Sequence, residues 1–499
     1  MAKIYKNLIN GKYVGSSSGK TYKNMNPANS SDVVGIFPLS EVSDVNKAVT
    51  AAKKAYEKWS KVPAPQRGEI IRKATEILIS RKEELARIMT REMGKVLKET
   101  RGDVQEAIDT GLYAAGEGRR MFSFTVPSEL RNKMAFVLRR PIGVWGVISP
   151  WNFPMAIPSW KMFPALLCGN TVVCKPATYT PASAGEFVDA LHEAGIPDGV
   201  VNIVYGSGGK VGEAIINHPD ISGITFTGSS EVGKRIAEVC GKTLKRCSLE
   251  LGGKNAEIVM DDADLELALE GVLWGAFGTT GQRCTATSRL ILHQKIHDKF
   301  IDMLKKRTEA LKVGDGLNEA NEVGPCVSED QRQTVHSYVE IGLKEGAKLL
   351  CGGEPLTKGK YTKGFFYKPT IFTNVTPEMR IAKEEIFGPV LSVLKVRNMT
   401  EAIKVLNNTR YGLSSSVYTK NVNGAFQAIE DIQAGITYIN APTIGAECHL
   451  PFGGVKDTGN GHREGGWTVF EIFSELKPCM LTILAPCKKR RLIRGIKLI

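Results

Sequence analysis

Ile221-Ser222-Gly223-Ile224-Thr225-Phe226 runs directly into Thr227-Gly228-Ser229-Ser230-Glu231-Val232-Gly233, and then into Arg235-Ile236-Ala237. The first six residues are apolar or small on both faces, as in a strand covered on both sides. A glycine turn follows, and after it the spacing becomes helical. The same unit occurs upstream. Val144-Trp145-Gly146-Val147-Ile148, Thr171-Val172-Val173-Cys174 and Val201-Asn202-Ile203-Val204 read as buried strands with helical stretches between them. Such alternation predicts an α/β fold with a parallel sheet and helices on both faces. Ligands of such sheets gather beyond the carboxyl ends of the strands. A second α/β series begins after Gly253, from Ala256-Glu257-Ile258-Val259-Met260 to the segment near 436–440.

Before these units the pattern is different. Residues 4–35 read as short strands and turns, with Asn10-Gly11-Lys12 a hairpin signal. Ser43 is placed to cap a helix carrying Val45, Ala48, Ala52, Ala55 and Trp59 on one face. Helical segments are expected near 64–79, 81–99 and 103–122, then a strand at Met134–Arg140.

The chain has 499 residues, enough for two or three cores. It is 42% hydrophobic and 24% charged, which fits an ordinary globular enzyme. No apolar run reaches membrane-spanning length, and Met1-Ala2-Lys3-Ile4-Tyr5-Lys6 lacks a signal-peptide core, so a cytoplasmic protein without a membrane span is expected. The ten cysteines are scattered singly, without Cys-x-x-Cys or zinc-type spacing, so free thiols and no metal site are expected. Net charge is +14, mostly spread out, with one basic cluster from Cys487 to Lys497. That cluster reads as a solvated tail. It has no interleaved aromatics, and no specific nucleic-acid partner is expected.

Five stretches carry chemistry. Phe277-Gly278-Thr279-Thr280-Gly281-Gln282-Arg283-Cys284-Thr285-Ala286-Thr287 sets one cysteine among glycines and hydroxyls, where a ligand can approach the sulfur. The adjacent Arg283 is expected to favour the thiolate. Glu250 lies in the apolar run before Leu251-Gly252-Gly253-Lys254. A carboxylate there is costly unless it is paired with a base or used, and desolvation would make it a better base for water. Ser149-Pro150-Trp151-Asn152-Phe153-Pro154 ends a strand with an amide that either builds a turn or donates to an oxyanion. Cys174-Lys175-Pro176-Ala177-Thr178 ends another, where the lysine either reaches a ribose or is simply exposed. The turn at Thr227–Gly233 offers free N–H groups to a phosphate, although any strand-to-helix turn needs glycine too.

Taken together and in this order, these motifs resemble the aldehyde dehydrogenase superfamily. The match rests on Pro150–Pro154, Lys175–Thr178, Phe226–Gly233, Glu250–Lys254, Gly281–Cys284 and Glu384–Pro389, on the spacing of Glu250 and Cys284, and on similarity from about 5 to 482. The resemblance implies two Rossmann-like α/β domains and a small β oligomerisation arm. The dinucleotide-binding domain would comprise 1–122 and 143–253, the catalytic domain 254–452, and the arm and C-terminal segment 123–142 and 453–482. Residues 483–499 form a basic tail with no family role.

By the same resemblance, Cys284 attacks the aldehyde and Asn152, with the Cys284 N–H, stabilises the oxyanion. Glu250 activates the water that releases the acid. The dinucleotide would contact Pro150, Trp151, Lys175, Thr178, Gly208, Phe226, Thr227, Gly228, Ser229, Gly233, Leu251, Glu385 and Phe387. Many NAD-preferring relatives carry glutamate where this chain has Thr178, so NADP is expected to be accepted and preferred, with NAD the alternative. Arg283, Arg120, Phe153 and Glu447 would face the substrate. Arg283 resembles branches that oxidise aldehydes with a distal anion. A semialdehyde is the leading expectation, with glyceraldehyde or its 3-phosphate the alternative. Self-association as a dimer or tetramer is implied. A non-catalytic structural role on this fold is disfavoured by the joint presence of Cys284, Glu250, Asn152, Lys175 and Glu385, and nucleic-acid binding through the basic tail is an alternative that tail deletion tests.

Overall fold

A computed structural model describes residues 2–121 and 123–482. The basic tail expected at 483–499 lies outside the described residues. Five parallel strands stand in the spatial order Arg246–Glu250, Gly223–Thr227, Val144–Ile148, Thr171–Lys175, Val201–Ile203. Every residue of the last four is buried, as double cover requires. The hairpin Asn7–Ile9 and Lys12–Val14 completes a seven-stranded sheet. Its turn has Asn10 and Gly11 at φ 52° and 71°, the twist that suits a two-residue hairpin loop.

Chain order reverses at Val144–Ile148, with later strands added first on one side and then on the other. A crevice therefore opens beyond the carboxyl ends of Val144–Ile148 and Gly223–Thr227. The loops 149–153 and 228–229 border it.

Residues 251–254 alone separate that sheet from a second one. Its order is Lys348–Cys351, Thr370–Thr373, Val390–Val396, Thr287–His293, Asn255–Val259, Ser414–Tyr418, Ile436–Ile439, parallel except at Lys348–Cys351. The carboxyl end of Arg246–Glu250 thus meets the amino ends of Asn255–Val259 and Thr287–His293. Lys133–Pro141 and Ser474–Thr482 pair antiparallel along their whole length, joined by Thr125–Val126, to form a separate ribbon. Among the described residues no helix is long and apolar enough to cross a membrane.

Two helix ends differ from the sequence reading. The first long helix is Val42–Trp59, and Ser43 lies inside it. Asp44 supplies the cap instead, accepting the Glu41 N–H at 3.0 Å, because a carboxylate is the stronger acceptor at a helix start. The helix expected over 81–99 stops at Met93, where Gly94 turns left-handed at φ 92° and packs under Pro325. A new helix then runs Leu97–Glu117.

Candidate active site

The cysteine loop is built on strained backbone. After the helix Leu265–Phe277, Thr279 and Thr280 adopt φ 53° and 58°, and Phe387 opposite adopts 56°. Such conformations cost about 1–3 kcal/mol each and persist only where neighbours impose them. Gly281, at φ 67°, presses on the facing turn, and a Cβ there would lie 2.2 Å from the Gly388 carbonyl. The Glu99 carboxylate accepts the Thr279 N–H at 2.7 Å. Asn255 donates to the carbonyls of Cys284 and Ala286 at 2.7 and 2.9 Å.

Cys284 lines a cavity of about 700 Å³ together with Glu250, Thr227, Leu251, Phe153 and Trp160. Burial pushes its thiol up to about 12, and the carboxylates of Glu385 and Glu250 add to the effect. The N–H groups of Thr285 and Cys284 oppose it more weakly. Arg283 does not act as expected. Its guanidinium turns to Glu99 at 3.0 Å and to the Thr279 hydroxyl at 2.8 Å, and it sits 5.4 Å from the Phe153 ring centre. Its charge is spent on Glu99 rather than on the sulfur. It remains in the cavity wall.

Glu250 is not paired with a lysine or arginine. It is 4% exposed, and both its oxygens lack hydrogen-bond partners. Burial first, and the nearby Glu464 second, raise its carboxyl well above the usual range, while Lys161 and Arg463 pull the other way. Glu464 and Lys161 are ion-paired in the interior, with the Thr225 hydroxyl 3.1 Å from the lysine nitrogen. Lys161 was not singled out by the sequence reading. The available signal is a lone charge inside the apolar helix Ala156–Cys168.

The Asn152 side chain is buried at the turn after Val144–Ile148, one residue before Phe153 in the cavity wall. Of the residues expected at the dinucleotide, Thr227 and Leu251 line the Cys284 cavity, while Ser229 and Glu385 line a separate cleft. Trp151 meets Phe387 edge-on at 5.2 Å. Lys175 is 4% exposed, so the simple surface reading fails. It donates to the Pro176 carbonyl at 2.9 Å, and burial lowers it to about 8. Gly212, in the turn Gly208–Gly212, packs against its stem, and Thr178 is half-buried. Ser229 caps the helix Ser230–Thr243. Gly228 and Gly233 are needed because a Cβ would lie 2.4 Å from the Phe226 ring and 2.3 Å from Leu251.

A second cleft of about 720 Å³ runs from Ser229 to Glu385 and Arg410. Glu385 accepts the Gly253 N–H at 2.9 Å, and burial raises it to about 7. The start of the helix Ser230–Thr243 and the recessed Glu385 carboxyl around this open space fit a phosphate-linked dinucleotide. Among the described residues no cluster could hold a metal ion.

The four substrate candidates are not brought together. Phe153, Arg283 and the exposed Glu447 line the cavity, and Glu447 lies 3.5 Å from His449. Arg120 does not line it. Its side chain points outward from the end of the helix Leu97–Glu117, ion-paired with Glu117 one turn earlier.

Residues 13–479 match the model of the aldehyde dehydrogenase family. The chain belongs to that family. It is 46% identical to the alpha-ketoglutaric semialdehyde dehydrogenase of Bacillus subtilis (strain 168), over 95% of this chain and 97% of that protein. It is 41% identical to the 2,5-dioxopentanoate dehydrogenase of Saccharolobus solfataricus, over 89% and 92%. Among solved structures it resembles an NAD-dependent aldehyde dehydrogenase from Sinorhizobium meliloti, with TM-score 0.94 and 39% identity over 98% and 96% of the two chains. As a family member it is an NAD(P)-dependent oxidoreductase acting on aldehydes.

Proposed function

We propose that this chain oxidises a semialdehyde bearing a distal carboxylate, of the 2,5-dioxopentanoate type, with Cys284 as nucleophile and Glu250 as base. The observation that carries the reading is one cavity lined by the Cys284 thiol, the unpartnered Glu250 carboxyl and the Arg283 guanidinium. The thiol releases its proton to solvent as the sulfur adds to the aldehyde carbon, and the Asn152 amide and Cys284 N–H stabilise the oxyanion. A nicotinamide dinucleotide held beside Ser229 and Glu385 would supply the hydride acceptor for this oxidation, which leaves Cys284 carrying a thioester. Glu250 takes a proton from the water that attacks the thioester carbonyl and returns it to the departing sulfur, releasing the acid and the thiol. The raised basicity of Glu250 suits both proton transfers.

The relatives' names support the distal carboxylate, and Arg283, which lines the cavity with Lys98, is a cation for it, in competition with Glu99. Thr178 and Lys175 support NADP over NAD, since neither repels a 2′-phosphate. The dinucleotide-binding unit is proposed as 1–122 with 143–253 and the catalytic unit as 254–452. The ribbon of Lys133–Pro141 and Ser474–Thr482, with exposed Met134, Leu476 and Met480, is proposed to pair with a second copy.

A second reading, a distal ammonium, rests on Glu106, Asp109 and Glu447 lining the same cavity. One panel separates the two. Aldehydes of equal length ending in carboxylate, methyl or ammonium are compared by kcat/KM with NADP and with NAD. Preference for the carboxylate, lost in Arg283→Gln, supports the proposal, and preference for the ammonium overturns it.

A further inference from the structure

Glu257 is the lone charged residue of the strand Asn255–Val259 and is fully buried. A carboxyl gains nothing from packing there, so its contacts explain its presence. Oε1 accepts the Thr287 hydroxyl at 2.6 Å and the Thr443 N–H at 3.3 Å. The Thr287 and Thr443 hydroxyls meet at 2.8 Å, and the latter donates to the Thr285 carbonyl at 2.7 Å. Ser414 donates to the Thr443 carbonyl at 2.6 Å. Asn255, on the same strand, holds the carbonyls on either side of Thr285. Thr443 lies at the foot of the segment whose Ala446, Glu447, Cys448 and His449 line the cavity.

The helix Leu265–Phe277 leaves space at two glycines one turn apart, Gly275 beside this network and Gly271 beside the neighbouring Tyr418. A Cβ at Gly275 would lie 2.2 Å from the Thr287 hydroxyl and 2.8 Å from Glu257, and one at Gly271 would lie 1.9 Å from the Tyr418 hydroxyl. The network is buried, with the second Glu257 oxygen left without a hydrogen-bond partner, and its bonds are strengthened by the low local dielectric.

We propose that Glu257, acting through Thr287 and Thr443, is a positioning residue that fixes the outer substrate wall at 443–449 to the backbone carrying Cys284. The wall and the sulfur then keep one register, so an aldehyde held by the wall presents its carbonyl to the nucleophile. This rests on Cys284 being the nucleophile.

Thr443→Val keeps the side-chain shape and removes the hydroxyl. Loss of this buried hydrogen bond is expected to lower kcat/KM for the aldehyde about tenfold and to slow iodoacetamide capture of Cys284, with dinucleotide Kd within about twofold of native. Thr443→Ser restores both. Thr287→Val has the same effect, and the double variant is no worse than either single, because both act through one chain of contacts. Unchanged kcat/KM in Thr443→Val, a Thr443→Ser as impaired as the valine, or additive losses would overturn the proposal. Cys284→Ala separates the two layers. Oxidation surviving in it overturns the nucleophile assignment, whereas oxidation lost in it beside a normal Thr443→Val overturns only the positioning role.

Discussion

Removing the ammonium of Lys161 tests the electrostatics around Glu250. Lys161 and Glu464 have side-chain exposures of 0% and 2%, and no other ion pair reaches either of them among the described residues. Lys161→Met preserves the stem and deletes the charge. Glu464 is then a buried carboxylate without its cation, and breaking such a pair costs about 3–5 kcal/mol. Urea unfolding followed by tryptophan fluorescence should show a lower midpoint with an unchanged slope. Replacing both partners, as Lys161→Met with Glu464→Gln, removes the orphaned charge and should recover most of the loss, since the Thr225 hydroxyl can still bond the amide. Catalysis supplies an independent readout. Lys161 is the first of the two cations that hold the Glu250 carboxyl down. A base works ionised, so activity rises with pH through its pKa, and losing the cation moves that rising limb to higher pH. A loss below about 1 kcal/mol, or a double variant no more stable than the single, would refute the reasoning.

Gly281→Ala places a side chain at left-handed φ against the Gly388 carbonyl, so a loss of at least about 1–2 kcal/mol and a lower Tm are expected. Thr178→Glu should move the kcat/KM ratio toward NAD. A repulsion of ~1–4 kcal/mol between glutamate and a 2′-phosphate makes the shift about fivefold or more. With its thiol held up at about 12, Cys284 in the free enzyme should be alkylated about ten times faster per pH unit from pH 7 to 10. A plateau below pH 9 would contradict that environment.

The sequence reading succeeds where a signal is local. The strands around Val144–Ile148 and Gly223–Thr227 are apolar on both faces because helices cover both, and the Asn10-Gly11 turn carries its own backbone preference. It fails where a side chain answers to a distant partner. Beside Cys284 in the chain, Arg283 is claimed by Glu99, on another helix 184 residues earlier. Arg120 is turned outward by the helix end it occupies. The roles of Asn255 and Thr443 rest on contacts across the second sheet and leave no mark in local composition. Glu257 and Lys161 did leave one, as single charges in apolar elements.

Trapping the covalent intermediate tests the central claim most directly. Glu250→Gln enzyme mixed with aldehyde and NADP, quenched and digested, should carry the acyl group on the peptide containing Cys284, with one hydride transferred per site and little turnover after. Label on another cysteine, or full turnover with no label, would contradict the assignment of the nucleophile and its base.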